Sequence, residues 1–503
     1  MFGFDTTQTS SIKTDTIEET NPPSEPTVLA ISDRRGHSKW TAAISQGHTF
    51  PLTGKQYRSM CKQSEVLRET ISEQSRLVKA KDWRRKDSYY LFDRTFLEVA
   101  EAERTGLLPK PDQTATDDAA CEKSLTFVLS EEDASFGKSL LMLWLSYGLA
   151  MKEGRAFFVD DTRWAYGKYA TYFAPPPSPS CIRPPPHHIV PCPHSANHIV
   201  VSSATSHWTF GASFEREFLH ARKIGVEKSR QTFDLLRVGY VNLFHATGED
   251  SLYSASRIAK FEDEAHQHAG SVVGIHLRRG DLHPLEYQFS SDYLPLERYA
   301  AAARKLLRSQ LRASLPETHT DADDFNAIVE YVHSPVLVAS DDPEITTSGD
   351  LAHAVAPFTV QKAQDRIQLA TKAILDEASP AEDVIEPGSA YIKHVDENTG
   401  WEGGFYSGLF FGLGREKEHH SLSHNDTSGV PTAPSEQSLR LRELVGRAYL
   451  LDLAVLSPSD GVVCAVSSAT CRVLGVMMGW DAVKDGRWVN VDDGRAWSWD
   501  GRR

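Results

Sequence analysis

Short apolar runs alternate with stretches of helical periodicity through the carboxy-terminal half of this chain, and that alternation limits the fold to few choices. A strand expected at 271–277 (SVVGIHL) precedes a helix at 293–313, and PVLVAS at 335–340 precedes the turn DDPE. A helix at 438–456 precedes GVVCAV at 461–466, and a helix at 469–479 follows. Strands apolar on both faces, interleaved with helices, predict a mostly parallel sheet covered on both sides. Such sheets bind ligands beyond the carboxyl ends of their strands. Three polar clusters sit there: His276 to Asp281, Ser340 to Asp342, and Ser467 with Ser468.

The 503 residues exceed what one hydrophobic core usually holds. FGKSLLMLWLSYGLAMKEG reads as an apolar helix stopped at Gly154, followed by a short strand, Ala156 to Val159, that runs into Asp160 and Asp161. Residues 1–45 are rich in Thr, Ser, Asp, Glu and Pro with few apolar anchors, a composition expected to stay disordered. Tyr57, Met60, Leu67, Ile71 and Val78 share one helix face, and a second helix is expected through Tyr89, Phe92, Phe96 and Val99. Residues 46–115 therefore read as a helical extension, a packing element or a surface through which two copies could form a homodimer. The proline-dense APPPSPSCIRPPPHHIVPCP (174–193) excludes helix and inner strand and is expected as a surface excursion or linker. Polar insertions near 314–333 and 414–437 are expected as loops, the second carrying the glycosylation sequon Asn425-Asp426-Thr427.

Composition narrows the partners. With 54 Lys and Arg against 68 Asp and Glu, the net charge of −14 repels a phosphate backbone, so no nucleic-acid partner is expected. A basic pair inside an acidic chain, Arg278 and Arg279, suits a small anion in a pocket. No apolar run is long enough to span a bilayer, and MFGFDTTQTSSIKTD lacks a signal pattern, so composition alone reads as soluble and cytosolic. The six cysteines are sparse for a disulfide scaffold and show no CxxC metal pattern. No P-loop, HExxH, GxSxG or kinase motif occurs.

Each polar cluster admits two readings. In HLRRGD, adjacent arginines at a strand end cannot share a face, so one would enter a cleft and the other brace the loop. A guanidinium matches phosphate through paired hydrogen bonds; alternatively Arg279 pairs with Asp281, or Arg279-Gly280-Asp281 is an exposed adhesion tripeptide. Ser340-Asp341-Asp342-Pro343 could hold a divalent metal, but it also matches the cap and first turn of a helix. Asp452, set in AYLLDLAVL, must be neutralised by Arg447 or another base, or else meet a ligand. The glycine and aromatic run TGWEGGFYSGLFFGLG (399–414) suits close backbone packing or an aromatic wall beside a sugar. Ser467 and Ser468 open a helix after a buried strand, either as a cap or as an anion site.

Taken in order, VVGIHLRRGD, VLVASDDPEI and LVGRAYLLDLAVLSPSDGVVCAVSSATCRV resemble the α-1,6-fucosyltransferase family over 271–480, more faintly over 135–181 and not over 1–120. The resemblance implies an α/β, GT-B-like fold: two Rossmann-type α/β domains facing a cleft, with an acceptor-side domain at 116–265 and a GDP-sugar-binding domain at 266–503. It implies inverting, metal-independent transfer of fucose from GDP-fucose to a glycan or glycoprotein acceptor, with no cofactor. Carried over by residue, it makes His276, Arg278, Asp452 and Ser468 donor contacts, with Arg278 on the pyrophosphate. Glu286 becomes the catalytic base, while Asp281, Asp341, Asp342, Arg279 and Ser467 shape the site. The pattern departs at Leu282, where the family has a lysine after the motif's aspartate, and the terminal SH3-like domain of the animal enzymes is not expected. A binding protein without catalysis is the alternative reading. The family also bridges a cysteine pair matching Cys464 and Cys471, and Cys181 with Cys192 could form another. Such bridges imply maturation in the secretory pathway or Golgi, against the composition-only reading.

Overall fold

A two-stranded antiparallel ladder opens the structure, pairing β1 (Thr27–Ser32) with β2 (Ser38–Ala43). Trp40 of β2 is fully buried against Phe96, with ring centroids 4.7 Å apart. The expected disorder of 1–45 is thus corrected for 27–43, where one tryptophan supplies the anchor that composition did not reveal. The computed structural model describes residues 25–74, 89–109, 120–130, 135–267, 270–278, 294–314, 335–347, 349–356, 358–368, 434–492 and 494–501.

Helix α1 (Gly54–Gln74) buries Tyr57, Met60 and Ile71 in the main core, so its apolar face is used inside the chain. The second expected helix is corrected: Trp40 N donates to Thr95 O and Leu97 N donates to Trp40 O, which holds that stretch beside β2. Only α2 (Val99–Arg104) is helical there.

The next elements are β3 (Ser124–Val128), α3 (Phe136–Glu153), β4 (Ala156–Asp160) and β5 (His198–Val201). Their strands form a three-stranded parallel sheet in the order β4-β3-β5. Helix α3 is buried on nearly every side, as an all-round apolar sequence requires. Ser135 Oγ caps it by accepting from Lys138 N, and Gly154, at φ 64°, ends it where the sequence placed the stop.

After α4 (Ser206–Thr209) and α5 (Ala212–Phe218), α6 (Arg230–Leu243) crosses α3 at glycines. A Cβ on Gly148 would fall 2.1 Å from Leu235 O, and one on Gly239 would fall 2.2 Å from Trp144 O. Backbone fills the space a side chain would need.

Helix α7 (Gly248–Gln267) leads into the second sheet, with β6 (Val273–Leu277), α8 (Leu296–Ser314), β7 (Pro335–Ser340), α9 (Asp350–Val355) and β8 (Thr359–Lys362). It is completed by α10 (Glu436–Leu456), β9 (Gly461–Cys464), α11 (Ala469–Met478), α12 (Trp480–Lys484) and β10 (Trp488–Asn490). The strand order is β10-β9-β6-β7-β8, every neighbouring pair parallel. The mixed α/β class with parallel sheets is as expected. One continuous core runs from Val28 through α3 to Cys464 and Trp497, and a second fills the space between β6, β7 and α8.

All six cysteines are paired, as Cys61–Cys192, Cys121–Cys181 and Cys464–Cys471. The Cys464–Cys471 bridge agrees with the resemblance; the Cys181–Cys192 pairing is corrected, because each of those cysteines reaches a different element. The proline-dense segment is no linker throughout: Ile189, Val190 and Cys192 are buried, and Val190 N donates to His198 O at the edge of β5. The expected loops at 314–333 and 414–437, the sequon at Asn425 and the 399–414 run lie almost wholly outside the described residues.

Replacing Gly239 with alanine should destabilise the fold by about 3 kcal/mol or more, read as a lower denaturant midpoint, since backbone rather than a flexible side chain must yield. Gly47→Ala, which meets only Ser45 Oγ at 3.8 Å, is the control expected to change little. Equal midpoints for the two variants would refute the close crossing.

Candidate functional site

Strand β6 lies third of five in its sheet, so its carboxyl end opens between β7 and β9. It delivers His276, buried at 5% exposure, and then Arg278, buried at 8%. Beside them β7 ends in Ser340, and Asp341 follows it. Helix α10 covers this edge with Val445, Tyr449, Asp452 and Leu456, spaced four, three and four residues apart and so on one face. The amino terminus of α11 completes the wall. Ser468 Oγ accepts from Thr470 N at 3.2 Å, and Tyr449 OH donates to Thr470 Oγ1 at 3.2 Å.

Together His276, Asp341, Asp452, Tyr449 and Thr470 line a narrow cleft of about 20 Å³. That volume admits about one water-sized group, so a larger ligand would lie across the sheet edge with one polar group reaching inward.

The electrostatics of this cleft are unusual for a core. Burial, with the nearby Arg278 charge, lowers the His276 imidazole to about 3, so it is neutral at physiological pH. Its Nδ1 is buried without a hydrogen-bond partner among the described residues. Asp452 is half-buried in the cleft wall, and desolvation raises its carboxyl well above the usual range despite the opposing charge of Lys362. Arg447 does not neutralise it, which removes one sequence option. That guanidinium is bound to Asp250 of α7 by hydrogen bonds of 2.6 and 2.8 Å.

The other expected residues separate. Asp342 Oδ1 accepts from Glu344 N at 2.9 Å and Ser340 Oγ accepts from Asp342 N at 3.0 Å, bonds that stabilise local turns rather than cap a helix. The helix expected to follow is corrected to turns, and α9 begins only at Asp350. Ser467 is half-buried; its N donates to Asp492 Oδ2 at 3.2 Å, and it does not line the cleft. Arg279, Asp281 and Glu286, and with them the adhesion tripeptide, lie outside the described residues. Sequence reading missed Tyr449 and Thr470. The first was legible as one turn before Asp452 on the same helix face, the second only once α10 and α11 were known to touch.

No protein-family model matches this sequence, and no curated protein matches it. Among solved structures, the chain is similar to NodZ alpha-1,6-fucosyltransferase soaked with GDP-fucose, at 12% identity over 71% of this chain and 92% of that one, with a TM-score of 0.35. It is similar to the fucosyltransferase NodZ from Bradyrhizobium at 12% identity, 70% and 91% coverage and a TM-score of 0.32. An Arabidopsis thaliana FUT1 mutant in complex with GDP matches at 12% identity, covering 76% of each chain, with a TM-score of 0.34. At these scores the likeness assigns no function to this chain.

A carboxyl raised by burial keeps its proton in the folded chain after the unfolded chain has lost it, so Asp452 costs stability as pH rises through the ordinary carboxylate range. Asp452→Asn should therefore raise Tm at pH 7, by about 1 °C for each kcal/mol recovered in a chain of this length, with the gain fading below about pH 4. A lower Tm at pH 7 would show that the carboxylate is charged and paired.

Proposed function

We propose that this chain is an inverting glycosyltransferase that moves fucose, or a close relative, from a GDP-sugar to a glycan or glycoprotein acceptor. The observation that carries the reading is the convergence of three separate sequence motifs on one sheet edge. His276 lies near the end of β6 and Arg278 just after it, Asp341 follows β7, and Asp452 and Thr470 come from α10 and α11. These are the segments whose order resembles the fucosyltransferases. The two parallel sheets suit a GT-B-like arrangement, with the donor on the sheet that contains β6 and the acceptor on the side of the three-stranded sheet.

In this reading the acceptor hydroxyl attacks the anomeric carbon from the face opposite the nucleotide. The bond from that carbon to the β-phosphate oxygen breaks, and GDP leaves with the added charge. Arg278 and the positive amino-terminal end of α11 stabilise that charge as it develops, and Arg279, Ser467 and Asp342 remain proposed donor-side contacts. Asp452, if protonated, donates a hydrogen bond to the nucleoside side of the donor, and neutral His276 offers Nδ1 beside it. Glu286 accepts the acceptor proton and Asp281 orients the loop between. No metal or cofactor enters these steps. The three disulfides favour an oxidising compartment, the secretory pathway or Golgi. A homodimer would need a surface other than the buried face of α1.

Leu282 favours a second reading, a protein that binds a GDP-sugar or glycan without turning it over, because it removes a cation from beside the acceptor. Titrating GDP into the folded chain by calorimetry should show binding that UDP does not reproduce, and Arg278→Ala should weaken it by about 100-fold, the effect of losing a charge-assisted phosphate contact. Absence of GDP binding to the folded wild type would end the transferase reading and the GDP-sugar form of the second.

Turnover separates the two. With GDP-fucose and an acceptor panel, Glu286→Gln should reduce kcat by about 100-fold or more while leaving GDP affinity unchanged. Wild-type rates in that variant would remove Glu286 as the base.

A further inference from the structure

A second cluster lies well away from the donor cleft. Glu103, on α2, faces His187 and His188, which sit in a 3-10 turn at Pro186–His188. His188 Nε2 is 2.7 Å from Glu103 Oε2, and His187 Nε2 is 3.2 Å from Glu103 Oε1. The three ligand atoms lie within 4.8 Å of one another. Glu103 and His187 are buried, at 8% and 7% exposure. His187 Nε2 points at the carboxylate at ion-pair distance yet completes no hydrogen bond among the described residues. A buried nitrogen so oriented is costly unless something else binds it.

The scaffold under the cluster is stiff. Cys121–Cys181 fixes the segment before the histidines, Cys61–Cys192 fixes it after them, and Pro184, Pro185 and Pro186 restrict the backbone between. Cys121 N donates to Ile182 O at 3.0 Å, and Val200 N donates to Val190 O at 2.9 Å, tying both flanks to the three-stranded sheet. The three side chains open onto a cleft of about 1400 Å³. Two cations on its wall are already paired, Arg104 with Glu101 at 2.6 Å and Arg183 with Asp160 at 3.1 Å, while Glu98 adds a further carboxyl.

We propose that Glu103, His187 and His188 form a binding site for a borderline divalent transition metal, zinc above all, with its remaining coordination positions turned to this cleft. Two imidazole nitrogens and one carboxylate are a donor set that zinc and its neighbours prefer over magnesium or calcium. Tetrahedral bonds of about 2.0–2.1 Å place ligand atoms about 3.3 Å apart, close to the 3.2 Å between His187 Nε2 and Glu103 Oε1, while His188 Nε2, at 2.7 Å, would move outward as the metal enters. The open positions would take water or an oxygen of a molecule held in the cleft. This site is separate from the donor cleft, and its expected metal-independent chemistry is unaffected.

The test uses the full-length, tag-free chain, stripped with chelator and then titrated with zinc by calorimetry and with cobalt(II) by visible absorption. One equivalent of zinc per chain and a ligand-field spectrum of low-coordinate cobalt are expected. Glu103→Gln and His188→Gln should each weaken zinc binding by at least about 100-fold, as loss of one of three protein ligands would. Because these variants could unfold, a readout on the wild type stands beside them. Zinc should protect the peptide carrying His187 and His188 from diethyl pyrocarbonate, read by mass spectrometry. No stoichiometric binding, or carbethoxylation of that peptide unchanged by zinc, would overturn the proposal and leave the cluster a hydrogen-bonded brace between α2 and the proline segment.

Discussion

The close crossing of α3 and α6 is the constraint on which the rest depends. Gly148 and Gly239 let the two helices meet backbone to backbone, and the buried layer they form packs against α11 on the side of the larger sheet. Arg237 of α6 fastens that contact by donating from Nη1 to Val476 O and Met477 O at 2.8 and 2.5 Å, the carbonyls at the end of α11. A cation there also suits the negative end of the helix. The start of α11 faces the donor cleft, so the fit between two glycines and a neighbouring helix helps to fix where Ser468 and Thr470 stand. The shared core has a second link at the other end of α3, where Phe136 packs on Tyr449 of α10 with ring centroids 5.7 Å apart.

What the sequence made legible followed from periodicity. The strands β6 and β7 and the helix ending at Gly154 were visible because apolar runs and stop signals are local. The hairpin at 27–43 was hidden because its stability comes from Trp40 meeting Phe96 across a long sequence separation, a contact no window detects. The same contact explains the helix wrongly expected through Tyr89 and Phe96, whose aromatic spacing matched a helical face while the backbone was paired with β2. Cysteine connectivity was equally nonlocal: the Cys464–Cys471 bridge was implied only by the family resemblance, and the short Cys181–Cys192 pairing gave way to bridges over 60 and 131 residues.

The candidate site was legible as a rule rather than as a geometry. Strand ends in a parallel sheet pointed to His276, Asp341 and Ser468, and all three now stand at one edge. The partner of Asp452 was not legible, because Arg447 one turn earlier reads as a natural neighbour on the helix. In the fold that arginine turns to Asp250, and Arg366 joins it there at 3.3 Å. Arg447 is thus engaged in an ion-pair cluster outside the cleft, and burial raises the Asp452 carboxyl opposed only by Lys362.

Parallel sheets are usually sealed by helices on both faces, and the three-stranded sheet breaks that rule in an instructive way. Leu125, Phe127 and Ile199 lie on one face, and Thr126, Val128 and Val200, equally buried, lie on the other, where they form the floor of the large cleft. A helix over that second face would have closed it. The chain instead supplies a proline run, which cannot form a helix and cannot join the ladder. It crosses the face as a strap held by two disulfides, and the gap beneath it is the cleft in which Glu103, His187 and His188 meet. The same residues that looked like a linker by composition are what keep this face of the sheet open to a ligand.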